Sequence, residues 1–186
     1  MTGTASKPRR AASAPKRVAT RRGATGSTVP RPRALSITAA ISTFRHTLRD
    51  APTLERVKLE REGVQPVIVR GLIDEIGVSA YEFQQFLRIP KATFAKKMRD
   101  QSAFSGAQGQ SVIGLLDLIT KVEDMLAADP GPAGAQGFDV EKWVGHWIRT
   151  PQPALGGRPP AELMDTPSGR ESVMRVLGAI QSGAYQ

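Results

Sequence analysis

The sequence predicts an all-α protein that begins with a basic tail, and three observations support this. From Ser36 onward, apolar residues recur at spacings of three and four, as they do along one face of a helix. Residues that cap helices precede several of these runs, and glycine or proline follows most of them. The 14 prolines and 18 glycines also indicate that sizeable parts of the 186 residues are loops or tails. One or two small domains fit this length.

The tail covers the first 33 residues. It contains nine of the 26 lysines and arginines and none of the 17 acidic residues, so it carries the whole excess of positive charge. A segment rich in Ala, Ser, Thr, Gly and Pro without apolar periodicity buries too little surface to offset the entropy of ordering. We therefore predict that residues 1–33 are disordered. They could form an electrostatic arm for a phosphate backbone or only a solubilising extension, and a transit peptide would need a clearer amphipathic pattern.

Composition also excludes several classes of protein. The chain has no cysteine, which rules out disulfides, thiolate zinc sites and a cysteine nucleophile. No apolar run approaches the roughly 20 residues that span a bilayer, and no signal-peptide core follows Met1. We expect a cytoplasmic protein without a membrane partner.

Three helices are predicted in the first part of the folded region. The first follows the cap residue Ser36, stops before Pro52, and has an apolar stripe of Ile37, Ile41, Phe44 and Leu48. A short charged helix is predicted over Thr53–Glu62. The third covers Pro66–Ile76, where Gly77 ends it. Its stripe consists of Val69, Leu72, Ile73 and Ile76.

A helix-turn-helix is predicted next. Ser79 and Glu82 have the spacing of a capping box at the start of a helix. That helix breaks before Pro90, because proline disfavours helical geometry in the residue that precedes it. The following helix, Lys91–Asp100, then takes the position of a recognition helix.

The recognition helix is rich in cations. Phe94 and Met98, four residues apart, are predicted to face the core, which leaves the cations largely outward. The residues predicted to bind DNA are Lys91, Thr93, Lys96, Lys97 and Arg99. A solvated basic face on an ordinary helical hairpin is the alternative.

A long helix and a linker follow. A Gly/Gln/Ser stretch, Ser105–Ser111, is predicted to precede the helix. The stripe of this helix consists of Val112, Leu115, Leu116, Ile119, Val122 and Leu126. Residues 129–137, DPGPAGAQG, are typical of a linker. We therefore predict three parts: the tail over 1–33, a helical region over 34–128, and a second module over 138–186.

The last fifty residues have a pattern of their own. Asp139 is predicted to cap a helix that ends at Pro151, with an apolar face of Val140, Trp143, Val144, Trp147 and Ile148. A rigid loop leads to a short helical turn at Glu162–Met164. Thr166 then caps a final helix that ends at Gly183, with a stripe of Val173, Val176, Leu177 and Ile180.

The residues do not indicate catalysis. His46 and His146 lie in separate helices, and Gly156-Gly157 lacks the strand and helix of a phosphate-binding loop. Glu162 and Asp165 are three residues apart on a short helix, which is more typical of capping or surface charge. We expect a protein that is not an enzyme and that needs no cofactor or metal.

The stretch from Trp147 to Gly183 resembles the C-terminal toxin-binding domain of Xre/MbcA/ParS-type antitoxins. It reads WIRTPQPALGGRPPAELMDTPSGRESVMRVLGAIQSG. The positions that match the family pattern are Trp147, Ile148, Pro151, Leu155, Gly156, Gly157, Pro159, Leu163, Thr166, Gly169, Val173, Leu177, Ile180 and Gly183. Upstream, GVSAYEFQQFLRIPKATFAKKM resembles the Xre-like helix-turn-helix of the same family. Together the two regions cover roughly residues 64–186.

This resemblance implies partners and a mechanism. The expected partner is a RES-domain toxin that degrades NAD or transfers its ADP-ribose to a target protein. The antitoxin is expected to dimerise through 34–128, to bind operator DNA, and to obstruct the toxin's NAD pocket with its C-terminal segment. The implied toxin-binding residues are Trp147, Leu155, Gly156, Gly157, Arg158, Arg175, Gly183, Tyr185 and Gln186.

Two other functions remain open at this stage. One is a stand-alone helix-turn-helix transcriptional regulator whose C-terminal domain only dimerises. The other is a toxin-neutralising module that has lost DNA binding. A neighbouring RES-type reading frame and a gel shift on the chain's own promoter would separate them.

Overall fold

The computed structural model describes Gly3 and residues 36–129 and 137–181, and in these parts the fold is all-α, as predicted. The helices are α1 Ile37–Asp50, α2 Thr53–Glu62, α3 Pro66–Ile76, α4 Ala80–Phe86, α5 Lys91–Asp100, α6 Gly106–Ala128, α7 Val140–Trp147 and α8 Pro167–Gln181. Two short 3-10 turns, Pro153–Leu155 and Pro160–Leu163, join α7 to α8. The predicted disorder of residues 1–33 concerns a segment that, apart from Gly3, lies outside the described residues.

Local capping explains where the helices begin. The hydroxyl of Ser36 accepts from the backbone N–H of Ala39 at 3.2 Å at the start of α1. The carboxylate of Asp139 accepts from the backbone N–H of Lys142 at 2.9 Å at the start of α7. Each bond satisfies a donor that the first turn of a helix leaves unpaired. These predicted caps are confirmed.

α6 is the central helix of the fold. α1, α2, α7 and α8 all pack against it. Its residues Leu115, Leu116, Leu118 and Ile119 are completely buried. Burial at successive positions around the helix is typical of a helix enclosed by others. Each such side chain contributes about 1.5–3 kcal/mol of hydrophobic stabilisation.

Two predicted boundaries are wrong. α6 begins at Gly106, whereas the sequence predicts that Ser105–Ser111 precedes the helix. The polar stretch is helical because it packs against the protein: Gly109 and Ser111 are buried, and a Cβ atom on Gly109 would meet the carbonyl of Phe104. The turn predicted at Glu162–Met164 lies two residues earlier, at Pro160–Leu163, because Pro160 provides its first position.

The backbone of α7 packs directly against the backbone of α3. A Cβ atom on Gly145 would collide with the carbonyl group of Ile76, the last residue of α3. Glycine at this position therefore allows the two helices to pack closely. The adjoining residues Val144 and Ile148 are completely buried.

The described residues from Ser36 onward form one compact unit. α7 packs on both α3 and α6, and α8 packs on α6, so the core is continuous across the linker predicted at 129–137. Of that linker, residues 130–136 lie outside the described residues. The division into 34–128 and 138–186 stays a prediction about which part performs which task.

A short backbone bridge closes the base of the helix-turn-helix region. The N–H of Val64 donates to the carbonyl of Phe104 at 2.9 Å, and the N–H of Phe104 donates back at 2.8 Å. Both residues are completely buried. The chain thus enters and leaves the segment that holds α3, α4 and α5 at the same place. Among the described helices, none is long and apolar enough to cross a bilayer.

Candidate functional site

The first helix of the helix-turn-helix, α4, starts at a reciprocal cap. The hydroxyl of Ser79 accepts from the backbone N–H of Glu82 at 3.1 Å, and Oε2 of Glu82 accepts from the backbone N–H of Ser79 at 2.8 Å. The backbone N–H and the hydroxyl of Ser79 both donate to Oε2 of Glu82, and these two bonds, the backbone one most, lower the pKa of that carboxyl group. The predicted capping box is confirmed.

Three aromatic rings fix the orientation of α5. The ring centroid of Phe94 lies 6.4 Å from that of Phe83 on α4 and 5.6 Å from that of Phe104. Phe83 and Phe104 are completely buried, and Phe94 is 8% exposed. The aromatic cluster therefore decides which side of α5 faces the protein and which side faces solvent.

Three of the five predicted DNA-binding residues lie on the solvent side. Lys91, Lys96 and Arg99 are exposed, whereas Thr93 is half-buried. Nε of Arg99 donates to Oδ1 of its neighbour Asp100 at 2.8 Å. That bond raises the pKa of Arg99.

Lys97 folds back onto the protein. Its Nζ donates to the carbonyl of Ala103 at 2.6 Å and lies 5.7 Å from the ring centroid of Phe104. Position 97 follows Phe94 by three residues and so shares its inward side. The predicted outward orientation of Lys97 is therefore wrong, and its part in DNA binding stays a prediction.

Trp147 of the predicted toxin-binding set lies in the core. It is 6% exposed, and its ring stacks on Trp143 with a centroid distance of 5.8 Å and an interplanar angle of 10°. Its indole Nε1 is buried and has no hydrogen-bond partner in the described part of the chain. Trp147 thus offers little surface to a partner.

That loop is a tight turn between Gln152 and Arg158. The N–H of Gln152 donates to the carbonyl of Arg158, and the N–H of Gly157 donates to the carbonyl of Gln152, both at 3.0 Å. Gly156 and Gly157 have φ angles of 67° and 76°, in the left-handed region that favours glycine. The Leu-Gly-Gly pattern is thus explained by backbone conformation.

A cavity of about 360 Å³ lies between this loop and α8. Its lining comprises Ala154, Leu155, Leu163, Ser172, Arg175, Val176 and Ala179. We call this site the α8 groove. It combines half-buried apolar side chains with one exposed cation, Arg175, which pairs with Glu171 at 3.0 Å.

The other predicted toxin-binding residues lie at the edge of this region or outside the described residues. Arg158 is 68% exposed, and its Nη1 lies 3.7 Å from Oε2 of Glu162. Gly183, Tyr185 and Gln186 lie outside the described residues. The structure thus brings Leu155 and Arg175 together in one groove, with Gly156, Gly157 and Arg158 on the loop beside it.

Two ion pairs connect the helix-turn-helix with the C-terminal segment. Nη1 of Arg149 lies 3.4 Å from Oε1 of Glu82, and Nε of Arg88 lies 3.7 Å from Oδ2 of Asp165. The pairs are largely exposed, so each contributes little to stability. Between them lies an open cleft of about 500 Å³.

α8 is held in place by a polar cluster. The sequence does not reveal this cluster. Nη2 of Arg56 on α2 donates to Oδ2 of Asp117 on α6 at 2.7 Å. Nη1 of Arg170 on α8 donates to the carbonyl of Met164 at 3.1 Å, and the arginine packs where Gly114 leaves space on α6. Burial lowers the pKa of Arg170, which Asp117 counteracts. Separations of about sixty residues carry no local signal in the sequence.

The residues considered for catalysis lie apart from one another. His46 and His146 are both exposed, on α1 and α7. Glu162 and Asp165 each face an arginine rather than a shared cleft. Within the described residues, no group of three or more His, Asp or Glu side chains could hold a metal ion.

Comparisons with known proteins agree with this arrangement. Residues 134–183 match the family described as the antitoxin Xre/MbcA/ParS C-terminal toxin-binding domain. The matched span includes α7, the glycine turn, the α8 groove and all of α8.

A curated relative extends the similarity beyond that domain. The chain is 33% identical over 135 residues to a protein of Sphingobium sp. (strain YBL2) named Prs ADP-ribosylating antitoxin. The alignment covers 73% of this chain and 83% of the relative. From the fold, the groove and this similarity, we conclude that the chain belongs to the Xre/MbcA/ParS family of antitoxins.

Proposed function

We propose that this antitoxin neutralises a RES-domain toxin by steric obstruction. In this proposal the α8 groove and the helix itself bind the toxin, and the C-terminal segment after α8 enters the NAD pocket. The observation that supports it most is the α8 groove, an open and partly apolar surface within the span that matches the toxin-binding domain. A half-buried apolar groove with a cation at its edge is a suitable site for a protein partner.

The position of α8 makes obstruction physically reasonable. Its buried residues Val173 and Leu177 attach the helix to the core, while Ile180 near its end is 36% exposed. Residues 182–186 follow directly in the sequence and include Tyr185. An aromatic side chain near the end of a short segment offers a large contact area for a small ordering cost.

The chemistry of the partner is the finer part of the proposal. The toxin either degrades NAD or transfers its ADP-ribose to a protein. The name of the Sphingobium relative contains the term ADP-ribosylating, which favours the transfer reaction. The antitoxin itself is proposed to act without catalysis, as an inhibitor that covers the site.

We also propose that the helix-turn-helix represses the operon that encodes the antitoxin. A homodimer would present two copies of α5 to half-sites about one helical turn apart. The exposed cations of α5 and the nine cations of residues 1–33 support an electrostatic contribution to DNA binding. Operator binding implies a cytoplasmic site of action.

Truncation tests the neutralisation mechanism. A chain that ends after Ile180 should still bind DNA, because α4 and α5 are untouched, but should fail to protect cells that express the neighbouring RES-domain protein. Protection by the truncated chain would contradict obstruction by the C-terminal segment. Tyr185→Ala in the full chain, assayed for NAD loss with purified toxin, measures the contribution of the aromatic ring.

Co-purification separates this function from a stand-alone regulator. Co-expression with the adjacent gene product should yield a stable complex if the chain is an antitoxin for it. Failure to co-purify, together with intact repression, would favour the regulator whose C-terminal domain only dimerises. Purified antitoxin that consumes NAD by itself would contradict the non-catalytic role.

A further inference from the structure

The solvent side of α5 has an unusual composition. Six of its residues are exposed, and they fall on one side of the helix: Lys91, Ala92, Ala95, Lys96, Arg99 and Asp100. Thr93, Phe94, Lys97 and Met98 are half-buried or buried. Two alanines thus stand in the middle of the exposed side, with three cations around them and with Asp100, which pairs with Arg99, at its C-terminal end.

Small side chains matter here because of the space that a helix needs. An α-helix with its side chains is about 10–12 Å wide, and the major groove of B-DNA is about 12 Å wide. At Ala92 and Ala95 only a methyl group separates the helix backbone from whatever it contacts. The helix can therefore approach the floor of the groove more closely at these positions than at the neighbouring lysines.

The charges around the alanines suit DNA. Lys91 and Lys96 are exposed, and Arg99 is exposed while its Nε pairs with Oδ1 of Asp100 at 2.8 Å. Cations that surround an apolar centre complement phosphates on both sides of a groove.

The alanine methyl groups suit one feature of the base edges. In the major groove only thymine carries a methyl group, and alanine is among the residues that contact it. The half-buried Thr93 and the folded-back Lys97 are not part of this surface, although the sequence predicts both to bind DNA.

We propose that α5 reads thymine methyl groups through Ala92 and Ala95, while Lys91, Lys96 and Arg99 hold the flanking phosphates. This inference rests on the proposed DNA-binding function and goes beyond it by naming the bases that are read and the residues that read them. The same charges would also allow this side of α5 to bind an acidic protein surface. The experiment below distinguishes that partner from DNA.

Replacement of thymine by deoxyuridine tests the inference. The full chain first selects duplexes from a random pool. Each thymine of a selected duplex is then replaced by deoxyuridine, which removes the methyl group and keeps base pairing. At one or more positions the wild-type chain should bind about fourfold more weakly, which is the loss expected for one buried methyl group.

Alanine-to-glycine variants assign the contact. In each variant, Ala92→Gly or Ala95→Gly, one position of the duplex should lose its thymine preference. Duplexes with thymine or deoxyuridine at that position should then bind with equal affinity, because the alanine methyl group that contacts the thymine methyl group is gone. Ala127→Gly, at an exposed position of α6, should keep the wild-type difference. Thermal unfolding checks that all three variants fold.

Three other outcomes of these binding measurements would each overturn the inference. Selected duplexes that tolerate deoxyuridine everywhere would overturn the inference and leave the repressor role intact. A thymine preference that persists in both glycine variants would also overturn it. If no duplex is enriched, both the inference and the proposed repressor role fail, and a protein partner is the better occupant of this side of α5.

Discussion

Nη2 of Arg45 on α1 donates to Oε1 of Glu141 on α7 at 2.9 Å, although the two residues are 96 positions apart in the chain. The same nitrogen lies 2.8 Å from Oε1 of Glu123 on α6. Arg45 is 5% exposed, and its Nε and Nη1 have no hydrogen-bond partner in the described part of the chain. One buried guanidinium therefore ties three helices together.

Removal of this guanidinium should destabilise the protein strongly. Arg45→Met keeps much of the side-chain volume but leaves two partly buried carboxylates without their cation. We expect a loss of about 3 kcal/mol in the free energy of unfolding, measured with urea. Arg49→Met, one helical turn later, removes only exposed ion pairs and should change stability little. Equal effects of the two substitutions would contradict the role of Arg45.

Glu75 should make stability depend on pH. Burial raises the pKa of this carboxyl group above its ordinary value, and its Oε1 is buried without a hydrogen-bond partner among the described residues. The folded state favours the protonated form of Glu75, and this preference stabilises the protein. The stabilisation is complete below the pKa that Glu75 has in the unfolded chain, about 4.3, and is lost as pH rises through its pKa in the folded state.

Glu75→Gln should therefore be more stable than wild type at pH 7. The difference should shrink as pH falls and vanish below about pH 4. Urea unfolding of both proteins across this range measures it. A variant that is less stable than wild type at pH 7 would show that the carboxylate gains more from Arg45 than it loses by burial.

Two glycines of the helices should respond in opposite directions to alanine. Gly145→Ala places a methyl group against the carbonyl of Ile76 and should cost about 1–3 kcal/mol through displacement of α7. Gly178→Ala on α8 meets nothing within 4 Å and should stabilise the protein by about 0.5–1 kcal/mol. Differential scanning calorimetry of both variants checks the pair.

The two adjacent lysines of α5 should differ in their effect on DNA binding. Lys96→Met removes an exposed cation and should reduce the slope of log affinity against log salt by about one. Lys97→Met removes the hydrogen bond to the carbonyl of Ala103 and should lower stability with little change in the slope. Fluorescence anisotropy at several salt concentrations separates the two. A reversed pattern would mean that Lys97 swings outward on DNA.

The α8 groove should contribute to toxin affinity. Leu155→Ala removes an apolar group from the groove wall and should weaken the complex by about 1–2 kcal/mol, if the groove is the docking site. Leu54→Ala, at an 85% exposed position on α2, is the matched control and should bind as wild type does. Surface plasmon resonance with immobilised toxin gives both affinities. An unchanged Leu155→Ala affinity would exclude the groove.

The helix boundaries could be predicted because their signals are local. Ser36, Ser79 and Asp139 each bond a backbone N–H three residues away, so their role is visible in a short window of sequence. The start of α6 could not be predicted, since the helical state of Gly106–Ser111 depends on packing against distant residues. Tertiary contacts override weak local propensity in such a segment.

The candidate sites divide in the same way. The exposed positions Lys91, Lys96 and Arg99 follow from the helical period once Phe94 is assigned to the core. The inward side of Lys97 follows from the same period, since it lies three residues after Phe94, whereas its bond to the carbonyl of Ala103 could not be predicted, because that acceptor lies in the loop after α5. Likewise, the apolar face that holds Trp143 and Trp147 could be predicted from their spacing of four residues, whereas the helices that cover this face could not.

The close contact of Gly145 with Ile76 affects how a protease can degrade the protein. Because α7 is wedged against α3 and α6, a single backbone cut within residues 130–136 would leave two fragments bound by their shared core. Such a nicked molecule would keep its assembled form. A protease that cuts within residues 130–136 must therefore also unfold the helical body before it can remove the protein.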